Sequence, residues 1–191
     1  ERRAMWDTIR AAQPRFGPAV AADLRVLLTK RGEPIPRSRL ALAAQLPRLA
    51  LVTDAYLAQV CYRARVHLQK AGPLLPRLLQ RVSVAQGQVC IGDPVLLEPG
   101  IYLPHGQVVI DGLTTVHATA TLSPFVTLGR RGDDIVGPTI GAGASIGTGA
   151  KVLGPVVVGA HAHVGANAVV IDDVPAGATA VGVPARVVGP A

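Results

Sequence analysis

A mainly β solenoid, capped at its N-terminal end by an α-helical domain, is the fold class this sequence predicts, and three observations predict it. Residues 140–174 repeat in sixes. Ile140, Ile146, Val152, Val158, Val164 and Val170 hold one aliphatic phase, and Ala144, Ala150, Val156, Ala162, Ala168 and Val174 follow each by four residues. Glycine is unevenly spread, with 4 in the first 89 residues and 17 in the last 102. Upstream of residue 90 the apolar spacing is helical instead. A helix repeats its apolar face at about 3.6 residues and a strand at 2, so a period of six points to stacked repeats. Each hexad supplies a short strand with one large apolar residue inward, then a tight Gly- or Ala-rich corner. Three hexads close a triangular coil of about eighteen residues, and no coil buries its core until the next one stacks on it. The chain therefore divides into an α-helical domain over 1–89 and a coil domain over 90–191, with a loop protruding at 129–138.

Taken in order, residues 19–28 form a strongly helical run that stops at Gly32, Pro34 and Pro36. A second run spans 38–46 and ends at Pro47. A third extends from about 49 to 70, with Leu51, Ala55, Val60, Ala64 and Leu68 among its apolar positions, and stops at Ala71-Gly72-Pro73. A last short helix, 74–84, leads into the coils. This half serves as the cap that keeps the first coil from exposing its core and strand edges.

The coil positions begin at Ile91, Leu97 and Leu103 and resume at Ile110, Val116, Leu122 and Leu128. The step from Leu103 to Ile110 is seven residues. One extra residue there must bulge, at Leu103-Pro104-His105-Gly106, and a bulge commonly re-aims a side chain at a functional site. Between Leu128 and Ile140 the midpoint is Asp134, which cannot fill an apolar position, so residues 129–138 leave the coil as a loop.

Composition narrows the function classes. An apolar fraction of 49% allows a real core, yet no run approaches the about 20 residues of a membrane span. No signal peptide is visible. Cys61 and Cys90 lack metal-type spacing and suit free thiols in a cytoplasmic protein. Residues 1–89 carry 15 Lys/Arg against 5 Asp/Glu, and residues 90–191 carry 4 against 7. The arginines sit at helical spacing without a recognition motif, and aromatics are 3%, too few for base stacking. That excludes nucleic-acid binding and favours a solvated face that draws in an anionic substrate. No His-x4-His pair is present, and no metal is expected.

The hexads, Val126-Thr-Leu-Gly129 before the loop, Ala22-Asp-Leu-Arg25 in the cap and Val181-Gly-Val-Pro-Ala-Arg-Val-Val-Gly189 at the end resemble the hexapeptide-repeat acyltransferases, and among them the serine acetyltransferases. The resemblance covers roughly residues 20–189. It implies a left-handed parallel β-helix, assembly as a homotrimer or a dimer of trimers, active sites in the clefts between neighbouring coils, and coenzyme A along a groove between subunits. It also implies transfer of an acyl group from acetyl-CoA to a hydroxyl. His105, in Leu103-Pro-His-Gly-Gln-Val-Val-Ile110, falls at the family's catalytic histidine. A serine hydroxyl is a weak nucleophile at neutral pH, so a neutral imidazole must take its proton. Backbone N–H groups at the glycine corner would then meet the oxyanion. Thr148 and Ala166, eighteen residues apart, are carried over as backbone contacts to coenzyme A. Gly129 and Arg130 meet the thioester end, and Lys151 and Arg186 the adenosine and phosphate end.

The sequence also departs from the family. Cys90 stands where an Asp orients the histidine, leaving Asp93, or alternatively Glu98, as the carboxylate partner. Pro104 replaces the Asp before the histidine, and Val136-Gly137 replaces an Arg-His pair in the loop. Asp23, Arg130 and Arg131 remain as acceptor contacts. The tail, ending Gly189-Pro-Ala191, lacks the isoleucine with which relatives dock a sulfhydrylase, so that complex is not expected. Three readings follow: O-acetylation of serine or a similar small metabolite, O-acetylation of a sugar or specialised intermediate, or a non-catalytic coenzyme A-binding scaffold.

Overall fold

The computed structural model describes residues 2–69 and 72–190. Six helices come first: α1 (Arg2–Ala11), α2 (Phe16–Lys30), α3 (Arg39–Ala43), α4 (Gln45–Val52), α5 (Asp54–His67) and α6 (Leu74–Gly87). Fourteen strands follow. Three parallel sheets form the faces of a triangular prism. Face A carries β1 (Val89–Ile91), β3 (Val108–Ile110), β6 (Thr127–Gly129), β9 (Lys151–Leu153) and β12 (Val169–Val170). Face B stacks β2 (Val95–Leu97), β4 (Thr114–Val116), β7 (Thr139–Ile140) and β10 (Val157–Val158). Face C holds β5 (Thr121–Leu122), β8 (Ser145–Ile146), β11 (His163–Val164), β13 (Ala178–Val181) and an antiparallel edge strand, β14 (Arg186–Pro190).

The sixfold phase is the core. Ile140, Ile146, Val152, Val158, Val164 and Val170 are all buried, as are the small residues four positions after each. Regular neighbours pair eighteen residues apart, as Lys151 does with Val169 and Thr139 with Val157. Both irregularities expected from the sequence appear in this register. Across the seven-residue step the offset is nineteen, Val89 pairing with Val108. Across the loop it is twenty-four, Thr127 pairing with Lys151. The loop is therefore an insertion of six residues at the corner between faces A and B, and the prism resumes in phase beyond it.

The helical half differs from the sequence reading in its breaks. Pro47 does not end a helix. It lies in the first turn of α4, where no intrahelical N–H is required of it. Ser38 caps α3 through its hydroxyl, which accepts from the Ala41 N–H at 3.0 Å. The long third run is two helices, α4 and α5, divided at the extended Thr53. Helix α5 ends at His67, and Lys70 and Ala71, the end of the expected run and the first residue of its expected stop, lie outside the described residues. Helix α1 was not foreseen.

The end of a solenoid exposes a layer of unpaired backbone carbonyls that must find donors. Helix α5 supplies most of them. Arg65 Nη2 donates to the Ile91 and Gly92 carbonyls, both at 2.8 Å. The Tyr62 hydroxyl donates to Val95 O at 2.6 Å, and Gln59 Nε2 to Ile101 O at 3.0 Å. Arg63 donates to the carbonyls of Leu97 and Glu98. Gln13, beyond the end of α1, gives a second donor to Val95 O at 2.7 Å. Between these polar groups Ala55, Ala58 and Tyr62 join the apolar core of the coils. Burial pushes the Tyr62 phenol up to about 12, so it stays a donor at any physiological pH. One helix thus covers all three faces of the first coil.

Candidate active site

His105 occupies the seven-residue step, at the corner where face C turns into face A. Two glycines allow its environment. A β-carbon on Gly106 would lie 1.6 Å from the Gly87 carbonyl oxygen, and one on Gly87 would lie 2.6 Å from the Asp54 carbonyl oxygen. Real Cβ atoms do not approach that closely, so the step packs directly on the C-terminal end of α6 and the N-terminal end of α5. Gln107, at φ 63°, donates its N–H to Gly87 O at 3.1 Å.

That packing brings an acid beside the imidazole. Asp54 Oδ1 is 3.6 Å from His105 Nδ1, and Asp54 Oδ2 accepts from the Gly106 N–H at 3.3 Å. Oδ1 also accepts from the Ala55 N–H at 3.0 Å, where an acidic residue suits the first turn of a helix. Both backbone donors of the glycine corner are thereby used, Gly106 by Asp54 and Gln107 by Gly87. The expectation that this corner supplies oxyanion donors is corrected accordingly.

Three residues expected from the sequence lie elsewhere. Asp93 sits at the A–B corner and pairs with Arg10 at 3.0 Å, so it is not the partner of His105. Glu98, the alternative, pairs with His117 at 3.0 Å and accepts from the Ala118 N–H at 2.8 Å. Burial opposes ionisation of Glu98, but the Ala118 N–H and His117 together hold its carboxyl below the usual range. Asp23, expected at the acceptor, is buried among α2, α5 and the first coil. Its two oxygens meet Arg63 Nε at 3.0 Å and Nη2 at 3.2 Å, and Oδ1 also accepts from the Gly100 N–H at 2.7 Å. No acceptor can reach a carboxylate whose side chain is 1% exposed.

The other candidates fall on two corners. Thr148 and Ala166 are exposed on the C–A corner, below His105, and the Asn167 N–H donates to Thr148 O at 2.8 Å. Lys151 starts β9 at the same corner, where its Nζ donates to Phe125 O at 2.6 Å. Gly129, Arg130 and Arg131 lie on the A–B corner. Arg130 Nε pairs with Asp111 at 3.3 Å and its stem packs over Gly112, while Arg131 lies against Gly154. Arg186 is drawn to Asp172 at 3.4 Å. Within one chain His105 and the arginine loop thus stand on different corners of the prism. Gly137 deepens a departure already seen in the loop. A β-carbon there would lie 2.0 Å from Thr114 Oγ1, so this position cannot present a side chain.

Asp54 escaped the sequence reading. It stands 51 residues before His105 on a separate helix, and only the Gly87–Gly106 contact reveals their proximity. The one available signal was its rarity, as one of five acids in a strongly basic half.

A prism of hexapeptide coils with a histidine raised at one irregular step defines a hexapeptide-repeat transferase. The family model described as bacterial transferase hexapeptide (six repeats) matches residues 137–172. A serine acetyltransferase of Synechococcus elongatus is 34% identical over 173 residues, covering 88% of this chain and 67% of the relative. That of Bacillus pumilus is 33% identical, covering 82% and 70%. The chain belongs to the serine acetyltransferase family. Among solved structures, the Brucella abortus serine acetyltransferase in complex with coenzyme A superposes with a TM-score of 0.77 at 27% identity, covering 98% of this chain and 73% of that one. A serine acetyltransferase complex with cysteine gives 0.77 at 27%, covering 99% and 72%. The prism is the left-handed parallel β-helix of this family. The chain spans about two thirds of the length of the Synechococcus relative and about half of the Synechocystis one.

Proposed function

We propose that this protein is an acetyl-CoA-dependent O-acetyltransferase acting on serine, with His105 as general base. The observation that carries the reading is His105 itself, exposed at the one seven-residue step of a coil lattice shared with serine acetyltransferases. Its Nδ1 faces Asp54, which leaves Nε2 toward solvent. Nε2 takes the proton from the serine hydroxyl as that oxygen attacks the thioester carbonyl carbon. The tetrahedral intermediate collapses, the C–S bond breaks, and the proton on the imidazole passes to the departing coenzyme A thiolate. Atoms and charge balance without a redox partner or a metal.

Coenzyme A lies along the C–A corner, with Thr148 and Ala166 offering backbone groups and Lys151 a cation. Gly129, Arg130, Arg131 and Arg186 act from a neighbouring copy, because in one chain the arginine loop and His105 occupy different corners. The homotrimer the family suggests, alone or paired through its caps, joins these two corners. Two free thiols, Cys61 buried and Cys90 exposed, support a cytoplasmic setting.

Release of free thiol from acetyl-CoA in the presence of serine measures the reaction. His105→Ala is expected to lower kcat by a factor on the order of 10² to 10⁴. An unchanged rate would overturn the assignment. A second reading, an acceptor other than serine, is favoured by Pro104 and by Gly137, where no side chain fits against Thr114. Turnover of serine more efficient than that of a panel of sugars and hydroxylated metabolites removes it.

A further inference from the structure

We infer that Asp54, on the helical domain, is the residue that positions His105 for proton transfer, taking the part of a carboxylate absent from the coil strand at Cys90. This rests on the reading of His105 as general base. A general-base imidazole works in one tautomer, and an acceptor at one nitrogen selects it. Asp54 offers that acceptor. Its Oδ1 lies 3.6 Å from Nδ1, short of a formed hydrogen bond but close enough for the carboxylate to favour the Nδ1–H tautomer, which leaves the Nε2 lone pair for the substrate.

The carboxylate is held in place for this. Oδ2 takes the Gly106 N–H at 3.3 Å, tying Asp54 to the residue next to the histidine. Oδ1 takes the Ala55 N–H at 3.0 Å, fixing the side chain on its own helix. The backbones beneath are locked: a Cβ on Gly106 would strike the Gly87 carbonyl, and one on Gly87 the Asp54 carbonyl. Two backbone N–H groups donate to its oxygens, and the Nδ1–H of the required tautomer would be a third donor. Only an acceptor-only group satisfies them all, and an asparagine must turn its amide nitrogen toward one of these donors. The other acids of the coil's first turns are engaged elsewhere, Asp93 with Arg10 and Glu98 with His117.

A purely structural Asp54 would cap α5 and do nothing more, so the test separates the two roles. In the full-length protein, kcat and KM for acetyl-CoA and for serine are measured for wild type, Asp54→Asn, Asp54→Ala, Asp54→Glu and His105→Ala, alongside the melting temperature. A buried aspartate behind a catalytic histidine is worth about 10⁴ in kcat. The side chains here are 68% and 48% exposed, so a fall of roughly 10- to 100-fold is expected for Asn and Ala. KM should stay within about twofold, and Asp54→Glu should recover part of the rate. In ¹⁵N spectra of the imidazole, the Nδ1–H tautomer of His105 should dominate in wild type and lose its excess in Asp54→Asn. If His105→Ala is inactive while Asp54→Asn and Asp54→Ala keep wild-type kcat and tautomer, the positioning role is refuted and the general base stands. A kcat loss that merely tracks a lowered melting temperature, with the tautomer unmoved, refutes it equally. If His105→Ala is fully active, the underlying reading fails instead.

Discussion

Asp23 offers a sharp test of where structure and function part. Sequence reasoning placed it at the acceptor, whereas the structure buries it between α2, α5 and the first coil, bound to Arg63 and to the Gly100 N–H. Replacing Asp23 with Ala strands the Arg63 guanidinium, whose side chain is 2% exposed, without its counter-charge. Loss of one partner of a buried pair costs about 3–5 kcal/mol. For a chain of this size each kcal/mol moves the melting temperature by about 2–4 °C, so Asp23→Ala should melt roughly 6–20 °C lower. Asp23→Asn keeps one acceptor and falls at the lower end. Adding Arg63→Met removes the stranded charge but leaves the Leu97 and Glu98 carbonyls without a donor. The double variant should therefore recover part of the loss, with a coupling of about 0.5–3 kcal/mol. Thermal and urea unfolding at one fixed protein concentration measure this, since an oligomer's apparent stability moves with concentration. KM for the acceptor, taken well below the melting transition, should be unaltered. A variant that melts like wild type and raises the acceptor KM tenfold would refute the structural role and restore the acceptor contact.

Two further outcomes follow from the same geometry. Gly106→Ala must push a Cβ into the Gly87 carbonyl, so it should lower both the melting temperature and kcat, the latter by about 10²-fold if the His105 segment moves by an ångström; a fully active, equally stable variant would show that this contact is soft. Glu98 has its folded-state carboxyl held low by Ala118 and His117, so its contribution to stability is complete above the ordinary carboxylate value of about 4.3 and is lost as pH falls through the lower folded value. The stability gap between wild type and Glu98→Gln should accordingly close as pH falls below about 4.3, and a gap that persists undiminished at pH 3 would contradict this.

What the sequence made legible was whatever a local period can carry. A branched residue at every sixth position leaves few alternatives to a coil lattice, and the two failures of the count at 103–110 and 128–140 became the register offsets of nineteen and twenty-four. Pairings across domains were not legible. Asp23 and Asp54 are both acids on helices of the cap, and nothing in their neighbours says that one meets a buried arginine and the other an exposed histidine. Arg63 and Arg65, among the arginines read as a solvated face, are buried together with Gln59, because the end of a solenoid is itself a polar surface of unpaired carbonyls. Pro47 misled because a first-turn proline and a terminating one look alike until the neighbouring helix boundary is known.

The six-residue insertion at the A–B corner carries a consequence for how such a protein can diversify. Because β6 and β7 leave and re-enter the lattice at the same phase, the segment between them behaves as a cassette. Its length and chemistry can change without shifting any inward side chain of the coils above or below. The step at His105 has no such freedom, pinned as it is between two glycines and two helix ends. One corner of the prism is thus open to exchange while the other, which carries His105, is held constant.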